Sequence, residues 1–191
     1  MNKADIIFKA IKLIYPEIQG GYVFGENPTN PADGLFWENK IFPKPKWEDI
    51  QKLIPQIQLE DAKTQKINEL NEFHASPEVK KLTIKAGMLE AHIGLDSDSR
   101  YLLDEQINLL KFRIDLKEVN PTWTYQNGAS VPLNLSQLIG LRLYIGSLTD
   151  FNFKARREAE KTINVLKTVD EIKNFDFKKN YKINQIIPLA L

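Results

Sequence analysis

Apolar residues recur at three- and four-residue intervals near the start of the chain, where Ile7, Ala10, Ile11 and Ile14 alternate with Lys3, Lys9 and Lys12. That period predicts an amphipathic helix over residues 3–15, and Pro16 ends it because its ring cannot continue the hydrogen-bond ladder. From there to Pro45 the pattern breaks into short aromatic runs, Tyr22 to Phe24 and Leu35 to Trp37, set among five of the ten prolines and four of the nine glycines. Such texture predicts strands and turns. Pro43-Lys44-Pro45 reads as an extended connector, after which Glu48 and Asp49 put acids in the first turn of a helix, where the helix dipole favours them. The helical period runs through Ile50, Leu53 and Ile54, should be interrupted at Pro55, and resumes from Leu59 through Ile67, Leu70 and Phe73.

Between Val79 and Leu95 the pattern shortens to Leu82-Thr83-Ile84, a turn at Ala86-Gly87, and Met88 to Ile93, which predicts a hairpin. Asp96-Ser97-Asp98-Ser99 offers side-chain acceptors to the N-terminus of a further helix, whose buried stripe is Leu103, Ile107, Leu110 and Ile114 and which should end near Asn120-Pro121. Asn127-Gly128 marks a second hairpin over Trp123 to Val131. A three-residue loop including Ala129 pairs Tyr125 with Val131 and Trp123 with Leu133, which gathers these four on one face. Asn134-Leu135-Ser136-Gln137 reads as a capping box with Leu133 and Leu138 as its hydrophobic staple. Beyond it Leu138, Leu141, Ile145, Leu148, Asn152, Ala155, Ala159, Thr162, Leu166 and Val169 keep strict three-four spacing, so one helix over 138–169 should bury that seam.

The expected fold is therefore α+β and predominantly helical, with long antiparallel helices and two β-hairpins preceded by a small Gly/Pro-rich strand-and-turn region. Along the chain this gives an N-terminal helix and strand region over 1–45, a connecting helix over 46–75, a helical domain with hairpins over 76–174 and an apolar tail over 175–191. The polar Asn152 within the seam permits two arrangements. Either aligned copies pair their Asn152 side chains, fixing an oligomer, or the seam packs against the helix beginning near Ser99 within one chain.

Charge changes little in this picture. The chain of 191 residues carries 26 Lys and Arg against 25 Asp and Glu, so no global field draws it to nucleic acid or anionic lipid. With no cysteine, disulfides and thiolate chemistry are excluded. Asp5, Lys9 and Lys12 interrupt the first apolar stretch, which therefore fails as a signal peptide, and no apolar run is long enough for a membrane span. A cytoplasmic protein is expected.

The segment from about Lys63 to Asp170 resembles a domain of tailed-phage proteins encoded beside tail-fibre genes, often the C-terminal part of tail-fibre assembly proteins. The matching residues are Trp123-Thr124-Tyr125-Gln126-Asn127-Gly128, then Val131-Pro132-Leu133 and a long helix bearing Phe153-Lys154-Ala155-Arg156. Gly94 through Asp98 with Arg100 is similar to that domain's strand-to-helix junction, and Leu35-Phe36-Trp37 with Pro43-Lys44-Pro45 and Trp47 to Ile50 is similar to a connector of phage tail proteins. The last helix is less Arg- and Ala-rich than is usual in the family. The resemblance implies a chaperone of fibre assembly, or a fibre-associated tail protein, whose partner is a tail-fibre protein. It would act in the cytoplasm of the bacterial host, or in the virion tail. A self-associating virion component is the alternative.

Chemistry points the same way only by default. With two histidines, His74 and His92, any metal site would lean on carboxylates; Glu90 and His92 share one strand face and are the one pair worth following. Asp96 to Ser99 resembles the start of a calcium loop, but Arg100 stands at the fifth position and no glycine at the sixth, so helix capping is the expected role. The basic run Lys154, Arg156, Arg157 and Lys161 alternates with Glu158 and Glu160, as a solvated helix face does. No enzyme activity, cofactor or metal is expected; a carboxylate-based glycan hydrolase is a minor alternative, since no motif places a carboxylate pair. Candidate partner-binding residues are the aromatics Trp37, Trp47, Trp123 and Tyr125 and the apolar tail residues Ile183, Ile186, Ile187, Leu189 and Leu191. Each could instead be core, and the tail could dock on its own body, a sister subunit or a client.

Overall fold

A computed structural model describes residues 3–25, 34–86, 89–115, 122–124 and 130–188. The fold is α+β and mostly helical. It divides into two compact units, one built from Met1–Ile67 and Ile163–Phe175, the other from Asn68–Thr162 and Asp176–Leu191. These boundaries cut the chain differently from its linear sections: the tail joins the second unit, while the segment just before it joins the first.

In the first unit, α1 (Lys3–Ile14) buries Ile7, Ala10 and Ile11, the stripe its period implies. A short hairpin follows, with β1 (Tyr22–Phe24) antiparallel to β2 (Leu35–Trp37). Gly21 makes its entry possible: its φ is +80°, and a Cβ there would lie 3.1 Å from Asn39. Asn39 in turn accepts the backbone N–H groups of Ile41 and Phe42 and donates to the Gly20 carbonyl, which closes the loop without regular structure. α2 (Trp47–Ala75) then runs unbroken through Pro55, where an interruption was expected. Ile50 and Ile57 on either side of the proline are both buried, with Leu53 and Ile54 packed against the same core. Pro55 itself is exposed, so the carbonyl it deprives of a donor can be hydrated, and burial outweighs the local cost of about 3 kcal/mol. Lys63 and Lys66 donate to the carbonyls of Asn164 and Lys173, and Ile163 and Ile172 complete the buried set of this unit.

The second unit begins with a single turn, α3 (Pro77–Lys80), and the hairpin of β3 (Lys81–Ala86) with β4 (Leu89–Gly94). Its register places Leu82 opposite Ile93 and Ile84 opposite Ala91, all buried; the alternate pairs, Thr83 with His92 and Lys85 with Glu90, lie on the other face. α4 (Ser97–Asp115) starts at Asp96, whose carboxylate accepts both the backbone N–H and the hydroxyl of Ser99. These bonds, the backbone one foremost, hold the Asp96 carboxyl below the usual carboxylate range. Capping is thus the role of the acidic cluster.

The strands β5 (Thr122–Thr124) and β6 (Ser130–Pro132) pair Trp123 with Val131. This register differs by two residues from the expected one, in which Tyr125 faced Val131. A slip of two preserves the parity of every pairing, so alternation of apolar residues could not distinguish the two.

α5 (Leu135–Val165) opens on the expected reciprocal cap: Asn134 accepts from the Gln137 N–H, and Gln137 accepts from the Asn134 N–H, both at 2.9 Å. The staple residues Leu133 and Leu138 are both buried. From Leu138 to Ala159 every seam position is buried; thereafter Ile163 takes the place expected for Thr162, and the helix ends at Val165, short of 169. The reason is a second reciprocal cap. Thr168 has extended backbone and exchanges hydrogen bonds with Glu171, which starts α6 (Val169–Asn174) afresh. The inner face of the hairpin, Leu103, Ile107 and Leu110 of α4, and Leu138 to Leu148 of α5 share one apolar cluster, with an Asp104–Arg142 ion pair of 2.8 Å beside it. The seam therefore packs within the chain.

Candidate functional site

The tail, marked in sequence only by its apolar residues, folds back as the third strand of the sheet. Asp176 accepts the Lys178 N–H and starts one 3-10 turn, and Phe177 and Tyr181 set their rings against Phe73 at 5.7 and 5.2 Å. At Lys182 the segment meets Asn152, which donates to the Lys182 carbonyl at 3.0 Å and accepts its N–H at 2.9 Å. A carboxamide has the same donor and acceptor as a peptide group, so Asn152 stands in for one residue of a neighbouring strand. Asn184 then adopts φ 49° and donates to the Glu78 carbonyl. Gln185 accepts from the Thr83 N–H, and β7 (Ile186–Pro188) runs parallel to β3, the strand order being β4-β3-β7.

Beside β7 lies a cleft of about 450 Å³ lined by Gln137, Gly140, Leu141 and Tyr144 of α5 and by Ile186, Ile187 and Pro188. None of these side chains is charged, so the cleft suits an apolar group, with Gln137 and the Tyr144 hydroxyl as polar contacts. Tyr144 already donates to the Gln185 side chain at 3.1 Å. The outer edge of β7 is short and is bounded by the left-handed Asn184 and by Pro188, which has no N–H; both discourage a further strand.

Among the described residues, four buried side-chain atoms stand out that the sequence did not mark. His74 Nδ1, Ser76 Oγ, Thr149 Oγ1 and Tyr181 Oη are buried and have no hydrogen-bond partner among the described residues. The His74 and Tyr181 rings lie 5.9 Å apart. Burial lowers the His74 pKa from 6.5 to about 4, with Lys80 and Arg156 adding to the effect, and burial pushes Tyr181 up to about 12. Both groups are neutral at neutral pH.

Glu90 and His92 do share a face, as expected, with 3.9 Å between carboxylate and ring. Lys85 also approaches Glu90 at 3.7 Å, and the Thr83 hydroxyl lies 3.3 Å from His92 Nδ1. This is a partly exposed cross-strand cluster. Among the described residues, no group of three or more His, Asp or Glu side chains could hold a metal ion, and no helix is long and apolar enough to cross a membrane.

The candidate partner-binding residues separate. Trp37 is half-buried, stacks on Tyr22 at 5.6 Å and donates to the Phe42 carbonyl; Trp47 is half-buried against the same core. Both pack against the core of the first unit and keep part of their surface exposed. Ile187 likewise packs against the core of the second unit, and Ile183 is half-buried, whereas Ile186 is 54% exposed at the rim of the cleft. Trp123 lies in β5 with its side chain outside the described part; Tyr125, Leu189 and Leu191 lie outside the described residues altogether. Asn152 was legible as a polar residue in an apolar seam, but its partner, the Lys182 backbone, was not. No protein-family model, curated protein or solved structure matches the chain.

Proposed function

We propose that the protein is a tail-fibre assembly chaperone, or a fibre-associated protein of a bacteriophage tail, that acts by binding other proteins. The observation that carries this reading is the resemblance of Lys63 to Asp170 to the domain encoded beside tail-fibre genes. The exposed apolar side chains of the second unit, such as Phe112, Leu143 and Ile186, lend it support, because partners dock on such groups. The proposed partner is a tail-fibre protein, met in the bacterial cytoplasm during assembly.

Co-expression with the fibre protein encoded beside it, followed by affinity capture of either one, tests the proposal. Co-purification that weakens when Ile186 is replaced by Asp is expected; no capture in either direction would refute the reading. The alternative, a self-associating component of the virion tail, gains from a second apolar face on α4. Purified particles separate the two, since a chaperone need not remain in them and a component must.

A further inference from the structure

The inward stripe of α4 is Leu103, Ile107 and Leu110, which leaves its opposite face to solvent. That face carries large apolar side chains among its charges: Tyr101 is 62% exposed, Leu102 54%, Leu109 42% and Phe112 62%. The solvent face of a helix is normally polar or charged throughout. Tyr101, Glu105, Leu109 and Arg113 follow one another at four-residue steps and so form a single ridge along the helix, flanked by Leu102 and Phe112. The ridge has an acid one turn before Leu109 and a base one turn after it. Turned end for end, the same sequence meets itself with opposite charges aligned.

We propose that α4 is the interface between two copies of this chain, paired antiparallel about Leu109, with Glu105 of each copy facing Arg113 of the other. The arrangement is isologous, as a two-fold pair requires, because one patch supplies both halves of the contact. In a parallel pair in register, Glu105 would meet Glu105 and Arg113 would meet Arg113, like charge against like. Tyr101 donates to Glu105 at 2.6 Å within its own helix, which holds the carboxylate on this ridge and leaves its second oxygen for the guanidinium. Four half-exposed side chains make a small contact, below the roughly 800 Å² per partner of a standard interface, so the dimer is reversible and depends on concentration. The inference does not depend on the fibre partner.

Sedimentation velocity of the full chain over a concentration series tests it, with circular dichroism to confirm that each variant is folded. The wild type should pass from monomer to dimer as concentration rises, and Leu109→Glu should remain monomeric. Glu105→Arg and Arg113→Glu should each weaken the dimer on the order of tenfold by placing like charges opposite each other, and the double exchange should restore it. A wild type monomeric at every concentration, or a dimer indifferent to Leu109→Glu, would overturn the interface. Single charge variants whose loss is not recovered in the double exchange would overturn the antiparallel pairing. A fibre protein captured normally by Leu109→Glu would leave the fibre reading standing apart from this result.

Discussion

A methyl group added at Gly140 would meet nothing within 4 Å, and the residue is exposed within the regular helix α5. Alanine there avoids the backbone entropy that glycine loses on folding, so Gly140→Ala should stabilise the protein by about 1 kcal/mol. Denaturant unfolding checks this as a raised midpoint with unchanged slope. His74 gives a pH signature of opposite origin. Its folded pKa, lowered by burial from 6.5 to about 4, means that between these values the unfolded chain binds a proton the folded chain refuses. Stability should therefore be full above about pH 6.5, decline as pH falls toward 4, and flatten below it. Because the ring is partly accessible, solvent screening reduces the effect to on the order of 1–2 kcal/mol. Comparing unfolding of the wild type and His74→Gln at pH 7 and pH 4.5 checks it: the variant should lose less stability on acidification. Equal losses would show that His74 is not responsible.

Elements were legible wherever their cause is local. The cap of α5 is an exchange between residues three apart, Asn134 and Gln137, and such spacing can be read directly; Asn134→Ala should cost about 1 kcal/mol in thermal or denaturant unfolding. The end of α5 was less legible, since the seam pattern continues in sequence to Val169 while the Thr168–Glu171 cap breaks the helix at Val165. Two local signals competed there, and the reciprocal cap of Thr168 and Glu171 won. At Pro55 the outcome was the reverse, with tertiary burial of Ile50 and Ile57 overriding a local breaker. Pro55→Ala should accordingly raise stability by on the order of 1–3 kcal/mol, restoring a helical donor at no loss of core.

At the scale of the whole molecule, the sequence marked the tail as a segment that must dock but left its site open. Exposure alternates along residues 182–188 as in a strand, but the sequence sets Asn184 beside Gln185 and Ile186 beside Ile187 and so hides that period, and what seats the segment is distant in the chain: Asn152, Glu78 and Thr83. The same distance explains Asn152. Seen in sequence, a lone polar residue in a heptad seam suits an oligomer; in the fold its amide is spent on one peptide group of its own chain. Replacing it with leucine strips both partners from the Lys182 backbone, at a cost of about 1–3 kcal/mol in a buried setting. Hydrogen exchange of Asn152→Leu, read alongside its mass in solution, tests this closure most directly. Protection lost at Lys182 and along β7, with the subunit number of the wild type retained, is the expected result. A changed subunit number with β7 still protected would contradict it, and would make the seam of α5 an interface between copies.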